Sequence, residues 1–223
     1  DGLRPDVEIV SENESSDRAG LAGASWIWHA ADGRNPPPCE RSFRTTIEIP
    51  AGRTAVAAWA SMTADNSFVL SVNGTEVCRG DNFHEVIEAR LDESLLHAGR
   101  NEVLVHAANA GDGPNPAGLV GQLLITLDNG RRVERKTEPA SWKSSADGER
   151  WTDASLIGPL GCAPWGPIAD ASASKANLAW IHRRCRGTDV YFLANSLPRP
   201  VEVTVSLRST GKGVRLFDPL DGS

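Results

Sequence analysis

The stretch spanning residues 54–77 constrains the fold more than any other part of the chain. Small and apolar side chains recur at Val56, Ala58, Ala60 and Met62, a turn follows at Ala64-Asp65-Asn66-Ser67, and Phe68, Leu70 and Val72 then alternate with Val69, Ser71 and Asn73. A repeat of two is the pleat of a β-strand, which sends successive side chains to opposite faces, so one face of this stretch has to lie on a core. Asn73-Gly74 accepts the positive φ values of a tight hairpin, and the chain is expected to reverse there and return through Glu76, Val77 and Cys78.

The same grammar runs along most of the sequence. Ser25-Trp26-Ile27-Trp28 opens it, and Phe43, Thr45, Ile47 and Ile49 alternate with Arg44, Thr46 and Glu48 up to a stop at Pro50-Ala51-Gly52. Residues 85–91, 101–109, 119–127 and 131–137 read as further strands, the last two joined by Asp128-Asn129-Gly130. Between them, 92–99 has an acidic start and a glycine stop, which predicts one or two helical turns. Residues 1–23 form an acidic, serine-rich arm with one edge strand at Val7, Ile9 and Val10. The tryptophan-bearing segment 138–168 reads as loop and 169–177 as a linker. Fresh alternating strands then start at 178, over 180–184, 190–195 and 201–208, with a turn at Leu197-Pro198-Arg199-Pro200, and the sheet they begin is unfinished at 223. Short strands between turns, with no sustained helical period, predict an all-β sandwich or jelly roll. Trp26, Trp59 and Trp180 lie in strands and are expected in the core.

Composition narrows the functions. A chain of 223 residues can bury a core without metals or many disulfides. Its net charge of −6 is wrong for a surface that tracks phosphates, so nucleic acid is not expected as a partner. No apolar run approaches the ~18 residues that cross a bilayer, so no membrane partner is expected. The chain opens on Asp1 without a signal-peptide core, which suggests a processed product or an excised piece. Cys39, Cys78, Cys162 and Cys185 make no metal spacing, and two disulfides or four buried thiols fit them equally.

Three sets of residues carry a resemblance. TADNSFVLSVNGTEV (residues 63–77), with SWIW and RSFRTTIEI before it and NEVLVHAAN and SWK after it, resembles the galactose-binding-like jelly roll of bacterial α-L-rhamnosidases and related glycoside hydrolases. The tail, WIHRRCRGTDVYFLANSLPRPVEVTVSLRSTGKGVRLFDPLDGS, is similar to the segment after the catalytic barrel in glycoside hydrolase family 106. The head, Gly2-Leu3-Arg4-Pro5-Asp6-Val7-Glu8, resembles a stretch of the same family, although Phe217 stands where its tail pattern has Trp. The resemblance implies an all-β chain with a jelly roll over 24–168 and an incomplete second β-sandwich in 178–223, the arm adding an edge strand to the host sheet. It also implies a secreted or periplasmic setting, a catalytic domain of the same parent chain as partner, and no catalysis by these residues alone.

Glycoside hydrolysis needs two carboxyl groups held across a sugar bond, and no pair here is singled out by its context. Binding a sugar asks for an aromatic face with flanking hydrogen-bonding groups in a shallow site. Loops at one end of the sandwich offer Trp28, Asp65, Asn66, Arg79, His84, Asn109 and Asn115 for a plant or algal polysaccharide, beside the plainer reading that Asp-Asn in a turn caps its own backbone. Similar jelly rolls often hold a structural calcium ion, for which Asp65, Asp81 and Asp112 are the candidates, and no other cofactor is expected. Trp142, Trp151 and Trp165 read either as a stacking platform or as buried anchors, and His182, Arg183 and Arg184 as one side of an interdomain salt bridge. The alternatives to a carbohydrate-binding domain are a purely structural sandwich and a piece of an active-site rim.

Overall fold

The computed structural model describes residues 7–13, 20–166, 168, 178–185, 187–195 and 202–209, with positions 213, 215 and 217. Its strands are β1 (Val7–Asn13), β2 (Ser25–His29), β3 (Cys39–Ile49), β4 (Ala55–Asp65), β5 (Ser67–Val72), β6 (Thr75–Gly80), β7 (Ile87–Arg90), β8 (Gly99–Asn109), β9 (Gly118–Leu127), β10 (Arg132–Lys136), β11 (Lys143–Ser145), β12 (Thr152–Pro159), β13 (Leu178–Cys185), β14 (Thr188–Asn195) and β15 (Glu202–Leu207). Among the described residues the only helical pieces are 3₁₀ turns at Ala30–Asp32, Glu93–Leu95 and Pro139–Ser141, so the all-β expectation holds. Contacts divide the chain into two units, Ser16–Ser174 and a second made of Asp1–Ser15 with Lys175–Ser223. The arm at 1–6 and 14–19, the linker at 169–177, the turn at 197–200 and the end at 218–223 lie outside the described residues.

Ser16–Ser174 is a β-sandwich. Hydrogen bonds link its strands in the order β6-β5-β8-β3-β11-β12-β2-β9-β4-β7, with β10 continuing the line of β2 along β9. β3 and β8 pair along their whole length, from Cys39 opposite Asn109 to Ile49 opposite Gly99. Phe43, Ile47, Phe68, Leu70, Val103 and Val105 from one layer form a continuous buried cluster with Ile27, Ala58, Ala60, Met62, Leu119, Leu123 and Ile125 from the other. Each full-sized apolar side chain so buried contributes about 1.5–3 kcal/mol. The hairpin expected at Asn73-Gly74 is present, with φ of 49° and 82°. It is also fastened: Asn73 Oδ1 accepts from the Glu102 amide at 2.8 Å, and Asn73 Nδ2 donates to Leu95 O at 2.7 Å.

Several expectations need correction. Val56 is 53 % exposed, because the pairing of β4 with β9 slips between Ala55 and Ala57 and turns its side chain out. Trp59 is half-buried. The helical turns expected over 92–99 shrink to Glu93–Leu95, where Asp92 Oδ1 caps the Ser94 amide at 2.9 Å. Segment 138–168 is more than loop: β11 and β12 sit inside it and join β3 to β2. All four cysteines are free thiols, but Cys39, Cys78 and Cys162 are only partly buried and Cys185 is exposed; burial pushes Cys78 up to about 12, out of reach of thiolate chemistry at neutral pH.

A second cluster joins Leu21, Ala24, Trp26, Val86, Val120 and Trp165. Trp26 and Trp165 stack with ring centroids 4.1 Å apart, and both lie against Gly118 at the start of β9. Trp165 is therefore an anchor and not a platform. A Cβ at Gly118 would come within 2.6 Å of Trp26 Cε3 and 2.9 Å of Trp165 Cζ2.

The second unit contains two antiparallel ribbons. β1 pairs with β15, from Val7 opposite Leu207 to Asn13 opposite Glu202, so its two strands come from opposite ends of the sequence. β13 and β14 pair from Leu178 opposite Asn195 to Cys185 opposite Thr188. His182, expected in an interdomain salt bridge, serves within this ribbon: Nε2 lies 3.0 Å from Asp189 Oδ1 and the ring stacks on Tyr191 at 4.3 Å. Trp180, expected in the core, is 41 % exposed. In the first unit, Gly118→Ala should cost about 1–3 kcal/mol by overpacking the indole stack, read as a lower denaturant midpoint at unchanged m-value.

Candidate functional site

Strand register brings several loops to one end of the sandwich. Asp65, the last residue of β4, faces Gly118, the first of β9. Ser67 at the start of β5 faces Ala108, and Asn109 at the end of β8 faces Cys39 at the start of β3. Gly80 at the end of β6 faces Phe68, and Thr63 Oγ1 donates to Asn82 O at 3.3 Å, which adds the loop after β6 to the same end.

Hydrogen bonds then zip these loops together. The backbone amide of Asn66 donates to Ala108 O at 2.6 Å, and its side-chain Oδ1 accepts from the Ala110 amide at 2.6 Å, so Asn66 brackets Asn109. Asn109 Nδ2 donates to Pro36 O at 3.3 Å and to Asn115 O at 3.5 Å. Asn115 spends its own side chain on its loop, donating to Gly113 O at 2.9 Å and Ala110 O at 3.0 Å. The Asp-Asn pair is thus more than a local Asx turn, since Asn66 ties two strands and a loop that lie far apart in sequence.

Asp65 is the ionisable centre of this end. It is only 7 % exposed, and Trp165 Nε1 donates to its Oδ2 at 2.8 Å. Its pKa lies above the ordinary aspartate value because burial disfavours the charge, an effect that the Trp165 bond and the nearby His84 only partly offset. Among the described residues no hydrogen bond to Oδ1 is found. The folded state favours the protonated carboxyl, so the cost of ionising Asp65 is absent at acid pH and sets in as pH rises through its folded pKa.

The remaining candidates divide. Trp28 is fully buried, packed at 5.3 Å against Phe43, and cannot offer a face to a sugar. Its indole donates to Asp32 Oδ2 at 3.0 Å, and Arg41 forks onto the same carboxylate with two bonds of 2.7 Å. This trio fixes the loop that carries Pro36, a positioning device that sequence reasoning missed. His84 is exposed, with its backbone amide on Asn82 Oδ1 at 3.1 Å and its ring 3.9 Å from Phe83. Arg79 forks onto Glu76 with two bonds of 2.8 Å. Arg79 and Asp81 belong to a shallow depression of about 400 Å³ beside the loop end, with Ser67, Phe68, Val69 and Gly80. Asp112 is exposed on the loop after β8, and among the described residues no three of His, Cys, Asp and Glu converge to hold a metal, so Asp65, Asp81 and Asp112 do not form one site. Asn109 Oδ1 is different: it is buried and has no hydrogen-bond partner.

No family model matches the chain. Over 176 residues, 70% of its length, it is 35% identical to an alpha-L-rhamnosidase of Streptomyces avermitilis, of which it spans 16%. Among solved structures, a Streptomyces avermitilis alpha-L-rhamnosidase complexed with L-rhamnose matches 74% of the chain at 30% identity and a TM-score of 0.60, over 17% of its own length. A lectin from Pleurotus ostreatus in complex with GalNAc matches 68% of the chain at 30% identity and a TM-score of 0.59, over 47% of the lectin. The chain thus spans under a fifth of each of these rhamnosidases and just under half of the lectin. Replacing Trp165 with Phe should raise the Asp65 pKa further, as read by carboxyl NMR titration, and destabilise the fold by about 2 kcal/mol at neutral pH.

Proposed function

Because the chain is homologous over most of its length to an α-L-rhamnosidase, we propose that it is a non-catalytic carbohydrate-binding domain of a rhamnosidase-like glycoside hydrolase. The observation that carries this reading is the loop end, where a half-engaged carboxylate, Asp65, stands with Asn66, Asn109 and the exposed His84 at the mouth of a sandwich that shares its fold with a lectin. Sugar hydroxyls both donate and accept, so an anionic acceptor with the exposed His84 imidazole nearby suits two neighbouring hydroxyls. The sugars named for the relatives, L-rhamnose and GalNAc, are the first ligands to try, with a plant or algal polysaccharide as the proposed natural ligand. A secreted or periplasmic setting accords with that substrate.

The calcium expected from sequence moves within this reading. A hard cation seeks oxygen donors, amide and backbone oxygens included. Asn109 Oδ1 is an oxygen of that kind, buried without a hydrogen-bond partner while its own Nδ2 takes the carbonyls of Pro36 and Asn115, and it is proposed with Asp65 as a calcium ligand in place of Asp81 or Asp112. The ion would supply the positive charge that the buried oxygens lack.

A second reading has its own support. The β13–β14 ribbon exposes Ile181, Val190 and Phe192 on one face and Trp180 and Leu193 on the other, whereas Val56 and Leu156 are the large exposed apolar residues described in Ser16–Ser174. Apolar surface of this kind marks a docking face. The unit containing this ribbon would then join the domain to the rest of a glycosidase, and the two readings are compatible.

Titration calorimetry of the whole chain with L-rhamnose, galactose and GalNAc tests the main reading. A Kd of about 0.1–1 mM for one of them is expected from a few hydrogen bonds in a shallow site, with Asp65→Asn weakening it about tenfold while keeping the Trp165 bond. No binding of any sugar would reject it. Binding should also fall on acidification at a pH above that of an ordinary aspartate, because protonation removes the acceptor charge. Calcium should raise the melting temperature by several degrees relative to chelator, a response that Asn109→Ala abolishes.

A further inference from the structure

We propose that the depression beside the loop end holds the next residue of a glycan chain, so that the domain reads an oligosaccharide and not a lone terminal sugar. The inference rests on the carbohydrate reading of the loop end and extends it sideways. Asn66, which locks that end to β8, is followed at once by Ser67, and Ser67 is the first wall of the depression. The other walls are Phe68, Val69, Arg79, Gly80 and Asp81. The volume, about 400 Å³, falls within the range of small-ligand sites.

The chemistry of the walls matches one sugar ring. Val69 sits on β5 between Arg79 of β6 and His106 of β8, so an apolar patch is flanked by polar groups on both neighbouring strands. His106 in turn is held by Ser42 Oγ, 3.0 Å from its Nδ1. Glu76 accepts from Nε and Nη2 of Arg79, which fixes the plane of the guanidinium and leaves Nη1 as a donor. Asp81 supplies the complementary acceptor. An apolar floor with a donor and an acceptor at the rim is what a pyranose presents in mirror form, with its C–H face and its ring of hydroxyls.

The test is calorimetry of the whole chain with L-rhamnose, galactose and GalNAc, and with di- and trisaccharides ending in each. The oligosaccharides should bind about tenfold tighter than the matching monosaccharide, the gain expected from one or two added hydrogen bonds and an apolar contact. Val69→Trp fills the depression at an outward strand position that favours aromatic residues, and should return the oligosaccharides to monosaccharide affinity while leaving monosaccharide binding unchanged. Arg79→Gln should reduce the gain by itself. Equal affinity for short and long sugars, or a gain that Val69→Trp does not touch, overturns the proposal. Oligosaccharide binding without monosaccharide binding, abolished by Val69→Trp, would uphold the depression and reject the loop end. Silence from every sugar rejects both.

Discussion

The hydrogen bond from the Trp165 indole to Asp65 is the contact on which the rest of the loop end depends. It joins residues a hundred positions apart and draws the segment after β12 across the start of β9. The indole can reach only because Gly118 leaves room for it and for Trp26, and its stacking on Trp26 offsets the cost of a Trp26 Nε1 that is buried without a partner. Packing and electrostatics are thus one device: the wall that buries Asp65, and so raises its pKa, also supplies the donor that restrains that rise.

Around this contact the loops are ordered by polar side chains turned onto backbone. Asn66, Asn109 and Asn115 spend their amide groups on carbonyl and N–H groups of neighbouring segments, and Asp32 gathers Trp28 and Arg41 into a brace under the Pro36 loop. Long connections in a sandwich have few ladder partners, so backbone groups in them need side chains to satisfy them. A loop end built this way is largely preformed, and little of it would need ordering on contact with a partner.

The legible part of the sequence was the part governed by local rules. Alternation placed β3, β5, β8 and β9, and Asn73-Gly74 announced its turn because few other pairs tolerate its φ values. β12 escaped because its fully buried residues are Ala154 and Gly158, too small to write a hydrophobic pattern, while Ile157 is only partly buried and Leu156 faces out. Trp28 was misplaced for the opposite reason: Trp26, Ile27 and Trp28 are all buried, since β2 is covered on both faces, and a strand with two inner faces carries no alternation to read. Asp65 and its companions could be named as loop residues from sequence, but their grouping could not, because each bond that gathers them spans distant segments. The Asp32–Arg41 brace has no sequence signal beyond two opposite charges nine positions apart.

The pairing of β1 with β15 bears on how the chain answers mechanical load. Val7 lies opposite Leu207, so tension applied at the outer flanks of the two strands opens the ribbon like a zip, one rung at a time, and starts at that pair. Until the last rung at Asn13 and Glu202 parts, the sandwich threaded between them in the chain carries none of the pull. A domain clasped in this way is shielded from tension until that ribbon has parted.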